Sequence, residues 1–256
     1  MNGSILPCLS VFPACAALLA AATAVGGTVY WNMDDLAAPT STTVTNLTVS
    51  SITQGNTTTI GGTTSSPSSG YSFALNETST LASGSTNLIF SARAGALSSA
   101  SSSFMTVTLT PSVGSTGTVR AIGFGSRSTA SGPTTLSLRA SHDSYATDVA
   151  GFSTSTNSAW SYFTNTFTVP LAIASGSSLT LRLYGAGGSS VSAGNWRLDD
   201  LQFDVVVVPE PAALVLGLAG AAGAVIAGRR SSHLARGTTK RCAEPNQASA
   251  SSNCSS

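Results

Sequence analysis

Charge is what this 256-residue chain has least of: Asp, Glu, Lys and Arg together make up 8% of it, against about a quarter in ordinary soluble domains. Eleven basic residues stand against ten acidic ones, a formal charge of +1. No overall field draws the chain to nucleic acid or to anionic substrates, and no nucleic-acid partner is implied. Cysteine is confined to the two ends, at Cys8, Cys15, Cys242 and Cys254. The 16–241 stretch therefore holds neither a disulfide framework nor a zinc ribbon. Between residues 25 and 208 there is one Glu, Glu77, and one His, His142, which leaves an acid–base enzyme few groups to work with.

What the chain has in abundance is hydroxyl, with 44 Ser and 33 Thr, and it carries two long uncharged runs. The run over residues 5–25 is apolar and Ala-rich, and Ala22-Thr23-Ala24 supplies small residues where a signal peptidase needs them. Residues 1–24 read as a secretory signal peptide forming a signal helix. The second run, residues 212–228, is followed at once by Arg229 and Arg230. Its length corresponds to about 26 Å of helix, enough for a thin bilayer. It has no polar face, so it reads as a C-terminal transmembrane helix rather than a core helix. The basic residues after it stay in the cytoplasm, which places residues 25–207 outside.

Val208-Pro209-Glu210-Pro211 stands directly before that run. Pro209 and Pro211 have no amide donor and disfavour helix in the residue before each, so the tripeptide is expected as an extended, unpaired segment. The order Pro-Glu-Pro, apolar helix, Arg pair over 208–230 resembles the PEP-CTERM sorting signal of Gram-negative bacteria. The resemblance identifies Pro209, Glu210, Pro211, Arg229 and Arg230 as the sorting motif. It implies export, an inner-membrane-held intermediate, processing by exosortase, and delivery to the cell envelope or the extracellular polysaccharide. Residues 231–256 continue past the basic cluster, lack apolar periodicity and read as a disordered tail.

Between the two runs apolar and polar residues alternate with a period of two. Strands are expected over 28–36, 43–52, 70–75, 87–93, 104–110, 117–124, 134–140, 159–169, 178–184 and 195–207. Ser, Gly, Pro and Asn clusters separate them, which predicts an all-β, antiparallel β-sandwich of jelly-roll-like kind. The pieces Leu136-Ser137-Leu138-Arg139-Ala140-Ser141-His142-Asp143 and Gly194-Asn195-Trp196-Arg197-Leu198-Asp199-Asp200-Leu201 resemble the ectodomains that precede many PEP-CTERM signals. Such domains resemble carbohydrate-binding jelly rolls in outline, and the resemblance implies no catalytic residue.

Two sets of residues could carry a ligand. Trp31 to Leu36 and Trp196 to Leu201 share the pattern Trp-x-aliphatic-Asp-Asp-Leu. First and last strands of a jelly roll are often neighbours, so Asp34, Asp35, Asp199 and Asp200 are candidate oxygen ligands for Ca²⁺. Successive strand residues face opposite ways, however, so one Asp of each pair at most is expected at a common site. The alternative is that these carboxylates pair with Arg197 or Arg182. Trp160, Tyr162, Tyr184 and Trp196 are the candidate platform for a sugar ring, with burial in the core as the alternative. A hydrolase would need a cleft joining Glu77, Asp143, Asp148 or His142, and Ser141 beside His142 does not make a triad by adjacency. The resulting reading is a non-enzymatic, exported surface or matrix protein without a required cofactor. Its rivals are a carbohydrate-binding module acting on extracellular polysaccharide and a secreted hydrolase.

Overall fold

Residues 23–75, 78–82, 84 and 86–210 are described by the computed structural model. The expected signal helix before residue 23, Glu77, and Pro211, the apolar run, Arg229, Arg230 and the tail lie outside the described residues. Among the described residues no helix is long and apolar enough to cross a membrane.

Fifteen strands follow one another: β1 Val25–Trp31, β2 Ser41–Thr42, β3 Leu47–Val49, β4 Thr53–Gly55, β5 Gly62–Thr63, β6 Ser72–Leu75, β7 Thr78–Leu81 and β8 Asn87–Phe90. Then come β9 Ser103–Pro111, β10 Ser115–Ser128, β11 Thr135–Ala140, β12 Ala150–Ser153, β13 Trp160–Ile173, β14 Leu179–Ala186 and β15 Trp196–Pro209, with one 3-10 turn at Ser141–Asp143. A seven-stranded sheet has the order β13-β10-β15-β1-β2, with β8 also on β15 and β5 on β8. A six-stranded sheet has the order β12-β11-β14-β9-β3, with β4 also on β9. A separate two-stranded ribbon is formed by β6 and β7. All of these strand pairs are antiparallel, including the first strand on the last, with Val25 opposite Val207 and Trp31 opposite Leu201.

The inner faces carry the period-two apolar set. In β9, Met105, Val107 and Leu109 are fully buried and the threonines between them are not. Leu179, Leu181 and Leu183 of β14 and Phe203, Val205 and Val207 of β15 close the core from the two sheets. Each such burial stabilises by about 1.5–3 kcal/mol. Trp196 stacks on Phe90 with ring centroids 4.2 Å apart, and Trp31 meets Phe203 edge-on at 6.4 Å. Outside the six-stranded sheet the hydroxyls pair across strands, Thr108 with Thr180 at 2.9 Å and Thr110 with Ser178 at 2.7 Å. These bonds let a nearly uncharged surface stay polar and ordered.

Several sequence expectations change. The first strand ends at Trp31 because Met33 takes a left-handed φ of 61° and Asn32 turns back on Asp34 and Thr40. The 43–52 stretch keeps only three residues of strand in β3. β2, β4, β5, β7 and β12 were not expected, since two to four residues are too few to display a period. The last strand runs to Pro209, so the start of the Pro-Glu-Pro segment, expected to be unpaired, is part of the sheet. Val208 and Pro209 lie opposite Thr116 and Ser115, and the Glu210 amide donates to the Gly114 carbonyl at 2.8 Å. Proline is tolerated there because it ends the strand and its missing donor breaks no interior ladder.

Neighbouring substitutions on β14 test the assignment of faces. Leu181→Ala should lower unfolding stability by about 2–5 kcal/mol, whereas Thr180→Ala, which removes one cross-strand hydroxyl bond, should lower it by less than about 1 kcal/mol. Urea titration followed by tryptophan fluorescence measures both.

Candidate functional site

The outer face of the seven-stranded sheet carries polar and aromatic side chains brought together by two breaks in the β ladder. In β15, Gln202 lies opposite Gly123 but Asp199 lies opposite Gly125, so one extra residue is inserted, and Asp200 takes a φ of 48° to absorb it. A bulge of this kind cancels strict alternation. Leu198 and Leu201 remain in the core while the Asp199 and Asp200 carboxylates are both buried close enough to repel each other. The expectation that one Asp of the pair at most could face a common site is therefore corrected. In β10 the register shifts between Val119 and Ala121, leaving Arg120 exposed next to Asp204.

Part of this face is covered by the β6–β7 ribbon and the chain leading into it. Tyr71 and Tyr30 donate their phenolic protons to the two oxygens of Asp200 at 2.7 and 2.6 Å. Phe73 stacks on Tyr30 at 5.8 Å and on Tyr162 at 5.2 Å, and Tyr71 lies over Tyr162 at 5.5 Å. Gly125 permits this contact, since a Cβ there would collide with the Tyr71 hydroxyl. Burial and the neighbouring Asp200 carboxylate raise the pKa of Tyr30 and of Tyr71 well above the ordinary tyrosine value. Asp200 is itself raised by burial, against the stabilising donations of the two phenols. Asp199 is fully buried; burial first and Asp200 second push its carboxyl up to about 7, with Ser68 partly opposing. Its Oδ1 accepts the Asp200 amide at 2.8 Å, while Oδ2 has no hydrogen-bond partner among the described residues.

Beyond the ribbon the same face opens into a groove of about 670 Å³, within the range of about 300–1,000 Å³ usual for small-ligand sites. Gly26 and Gly27 of β1 and Gly123 of β10 form a floor without side chains, and Ala74 of the ribbon stands at its edge. Thr164 and Thr166 of β13 and Thr28 of β1 supply hydroxyls, and Gln202 and Asn165 supply amides. Gln202 donates to the Tyr162 hydroxyl at 2.7 Å, which joins the groove to the aromatic half of the face. Among the described residues Arg120 and Asp204 are the only charged ones lining the groove, and they meet each other at 2.8 Å.

The candidate residues fall into different places. Trp196 and Tyr184 are completely buried, the former donating from its indole nitrogen to Ser126 and the latter set against Phe104, so neither can receive a sugar. Trp160 and Tyr162 do lie on the outer face; Tyr71 and Phe73 stack on the Tyr162 ring, while Trp160 meets Tyr71 at a tilt, 6.4 Å between centroids, and donates its indole N–H to the Ser66 carbonyl. Asp35 accepts the Ala37 amide in a local turn, and Asp34 is exposed and bonded to Asn32. Asp34 is near enough to raise Asp199 further. Among the described residues no three His, Cys, Asp or Glu side chains gather as a metal ion would require. Asp199 and Asp200 do not pair with Arg197 or Arg182. Arg197 bonds Asn87, and Arg182 lies between the rings of Tyr145 and Phe104 at 4.0 and 4.4 Å.

Of the residues named for a hydrolase, Asp148, Asp143 and Ser141 are held in local structure. Asp148 pairs with Arg139 at 2.6 Å and takes the Ser137 hydroxyl, and Asp143 caps the Ala146 and Thr147 amides. The Ser141 hydroxyl accepts the Thr180 amide at 3.0 Å. The groove residues Arg120, Gln202 and Asp204 were missed. Their only sequence signal was the polar position in an alternating strand, which dozens of Ser and Thr share.

No protein-family model and no curated protein sequence matches this chain. Among solved structures it is similar to the enzymatically active domain of bacteriophage CBA120 tailspike protein 4, at 15% identity and a TM-score of 0.31 over 62% of this chain. The chain spans only 19% of that tailspike. A cleaved adhesin domain of Lys-gingipain from Porphyromonas gingivalis matches at 7% identity and a TM-score of 0.34, covering 71% of this chain and 97% of that one. The C-terminal carbohydrate-binding module of LamC, a marine laminarinase from Zobellia galactanivorans, matches at 12% identity and 0.27, covering 62% and 98%. Scores of this size carry no argument about function.

The buried acid pair has a pH signature. An unfolded Asp ionises near about 4, whereas folded Asp199 holds its proton to about 7, so the folded state binds more protons in between and stability falls as pH rises through that window. The melting temperature of the full chain should drop by several degrees from pH 5 to pH 8. Asp199→Asn should flatten that slope and melt higher than the parent at pH 8, as followed by differential scanning fluorimetry.

Proposed function

We propose that the sandwich is the carbohydrate-binding domain of an exported surface protein, and that the groove on its outer sheet face takes the glycan. The groove itself supports this reading most directly. Its lining combines paired charges, amides and hydroxyls over a floor of glycines, a set that both donates and accepts hydrogen bonds in several directions. Sugar hydroxyls demand both roles from their partners.

Glycan-array screening and calorimetry of the full chain in detergent should find a glycan ligand. Thr164→Trp, which fills the groove from an exposed strand position, should weaken that ligand by at least about tenfold, equivalent to about 1.4 kcal/mol, at an unchanged melting temperature. Equal binding by this variant would place the glycan elsewhere or remove the reading.

The second part of the proposal concerns sorting. Residues 208–230 keep the order of the PEP-CTERM signal, and the last strand delivers the chain to Glu210 at the end of the sandwich bearing the β9–β10 turn. The protein is held by its apolar segment after export and is released to the envelope or extracellular polysaccharide by exosortase. Intact-mass spectrometry of the mature protein should show residues 212–228 removed in a host with exosortase and retained in one without it. Retention in both hosts would leave a simple membrane-tethered sandwich.

A further inference from the structure

The charge arrangement of the groove goes one step beyond its reading as a glycan site, and rests on that reading. Arg120 and Asp204 are about half exposed, with side-chain exposures of 47% and 40%, yet each is matched by the other at 2.8 Å. The match is built by the backbone: the extra residue between Val119 and Ala121 in β10 brings Arg120 beside the strand position opposite Asp204. The remaining polar lining consists of hydroxyls and amides. Among the described residues, Asp199 and Asp200 of the same face are buried beside Tyr30 and Tyr71 and do not line the groove.

We infer that the groove selects uncharged oligosaccharides, and that the Arg120–Asp204 pair is its specificity element. A uronate or sulfate in the groove would either displace Asp204 from the guanidinium or lie against the Asp204 carboxylate. Both arrangements leave one anion without its cation. A neutral sugar meets no such conflict. The guanidinium has five N–H donors, of which the bond to Asp204 uses one. The unused donors and the second carboxylate oxygen can hydrogen-bond adjacent hydroxyls of one ring. Charged hydrogen-bonding groups fix geometry more strongly than neutral ones, so the pair orients the ring while contributing no net charge.

Asp204→Asn tests this directly, because it frees Arg120 and keeps the shape of the groove. Affinity electrophoresis and calorimetry of the full chain in detergent would compare neutral glycans (glucan, galactan, mannan, xylan) with polygalacturonate and alginate. The wild-type chain should retain one or more neutral glycans, show no measurable uronate binding, and respond little to salt. Asp204→Asn should bind uronate at least about tenfold more tightly than the wild type and lose that gain between about 50 mM and 500 mM salt, as screening shortens the reach of Arg120. The double variant Arg120→Gln/Asp204→Asn should lose the gain at every salt concentration. Asp204→Ser serves the same purpose should the Asn variant melt early, since an exposed pair contributes little to folding. Wild-type binding of uronate as tight as that of neutral glycan overturns this inference and leaves the glycan site standing. An Asp204 variant that folds and gains no uronate affinity also overturns it. Retention of neither class by the wild type removes the glycan site as well.

Discussion

The fourteen residues of β15 hold the molecule together. They lie between β10 on one side and β1 with β8 on the other, and every second side chain from Trp196 to Val207, apart from the bulge, enters the core. The remaining side chains form the spine of the outer face. Because a strand allows only two directions, the identity of this one segment decides both the hydrophobic contact between the sheets and the polar chemistry of the exposed side. The bulge at Asp199 and Asp200 is the one place where β15 departs from alternation. It costs a left-handed residue and leaves two carboxylates under a cover of tyrosines.

That burial is unfavourable taken alone, since desolvating like charges raises their free energy. The structure offsets it with two short phenol donations and a stack of rings from Tyr30 to Trp160, so that the β6–β7 ribbon docks on the acid pair instead of on an apolar patch. The ribbon then limits how much of the face is open. The Tyr162 ring, a candidate platform in the sequence, is stacked against Tyr71 and Phe73, and the groove lies beside Ala74 of the ribbon.

The groove reflects the composition of the whole chain. A protein with so few charges cannot recognise a ligand by net field, and its surface offers hydroxyls, amides and backbone instead. Glycines at 26, 27 and 123 are used where close approach is needed; at Gly123 a Cβ would collide with the Tyr162 hydroxyl. Recognition on such a surface depends on hydrogen-bond geometry, and geometry depends on the strands that carry it.

The alternating patterns Met105/Val107/Leu109, Leu179/Leu181/Leu183 and Phe203/Val205/Val207 were legible in the sequence because a half-buried strand has no other way to separate oil from water. They determined the all-β, antiparallel character and most of the core. The same logic left Trp196 and Tyr184 open between core and sugar platform, since an aromatic residue on a strand suits either, and the structure places both in the interior. It failed for Asp199 and Asp200 because an inserted residue leaves no mark in composition. Short strands such as β2 and β5 were invisible for want of length, and the pairing of Arg120 with Asp204 joins residues 84 positions apart. Local periodicity is set by each strand's own two faces and so is written in the sequence. Which polar residues meet was decided only when β10, β13 and β15 took their register, because bulges and long-range pairing depend on the energy of the whole sheet.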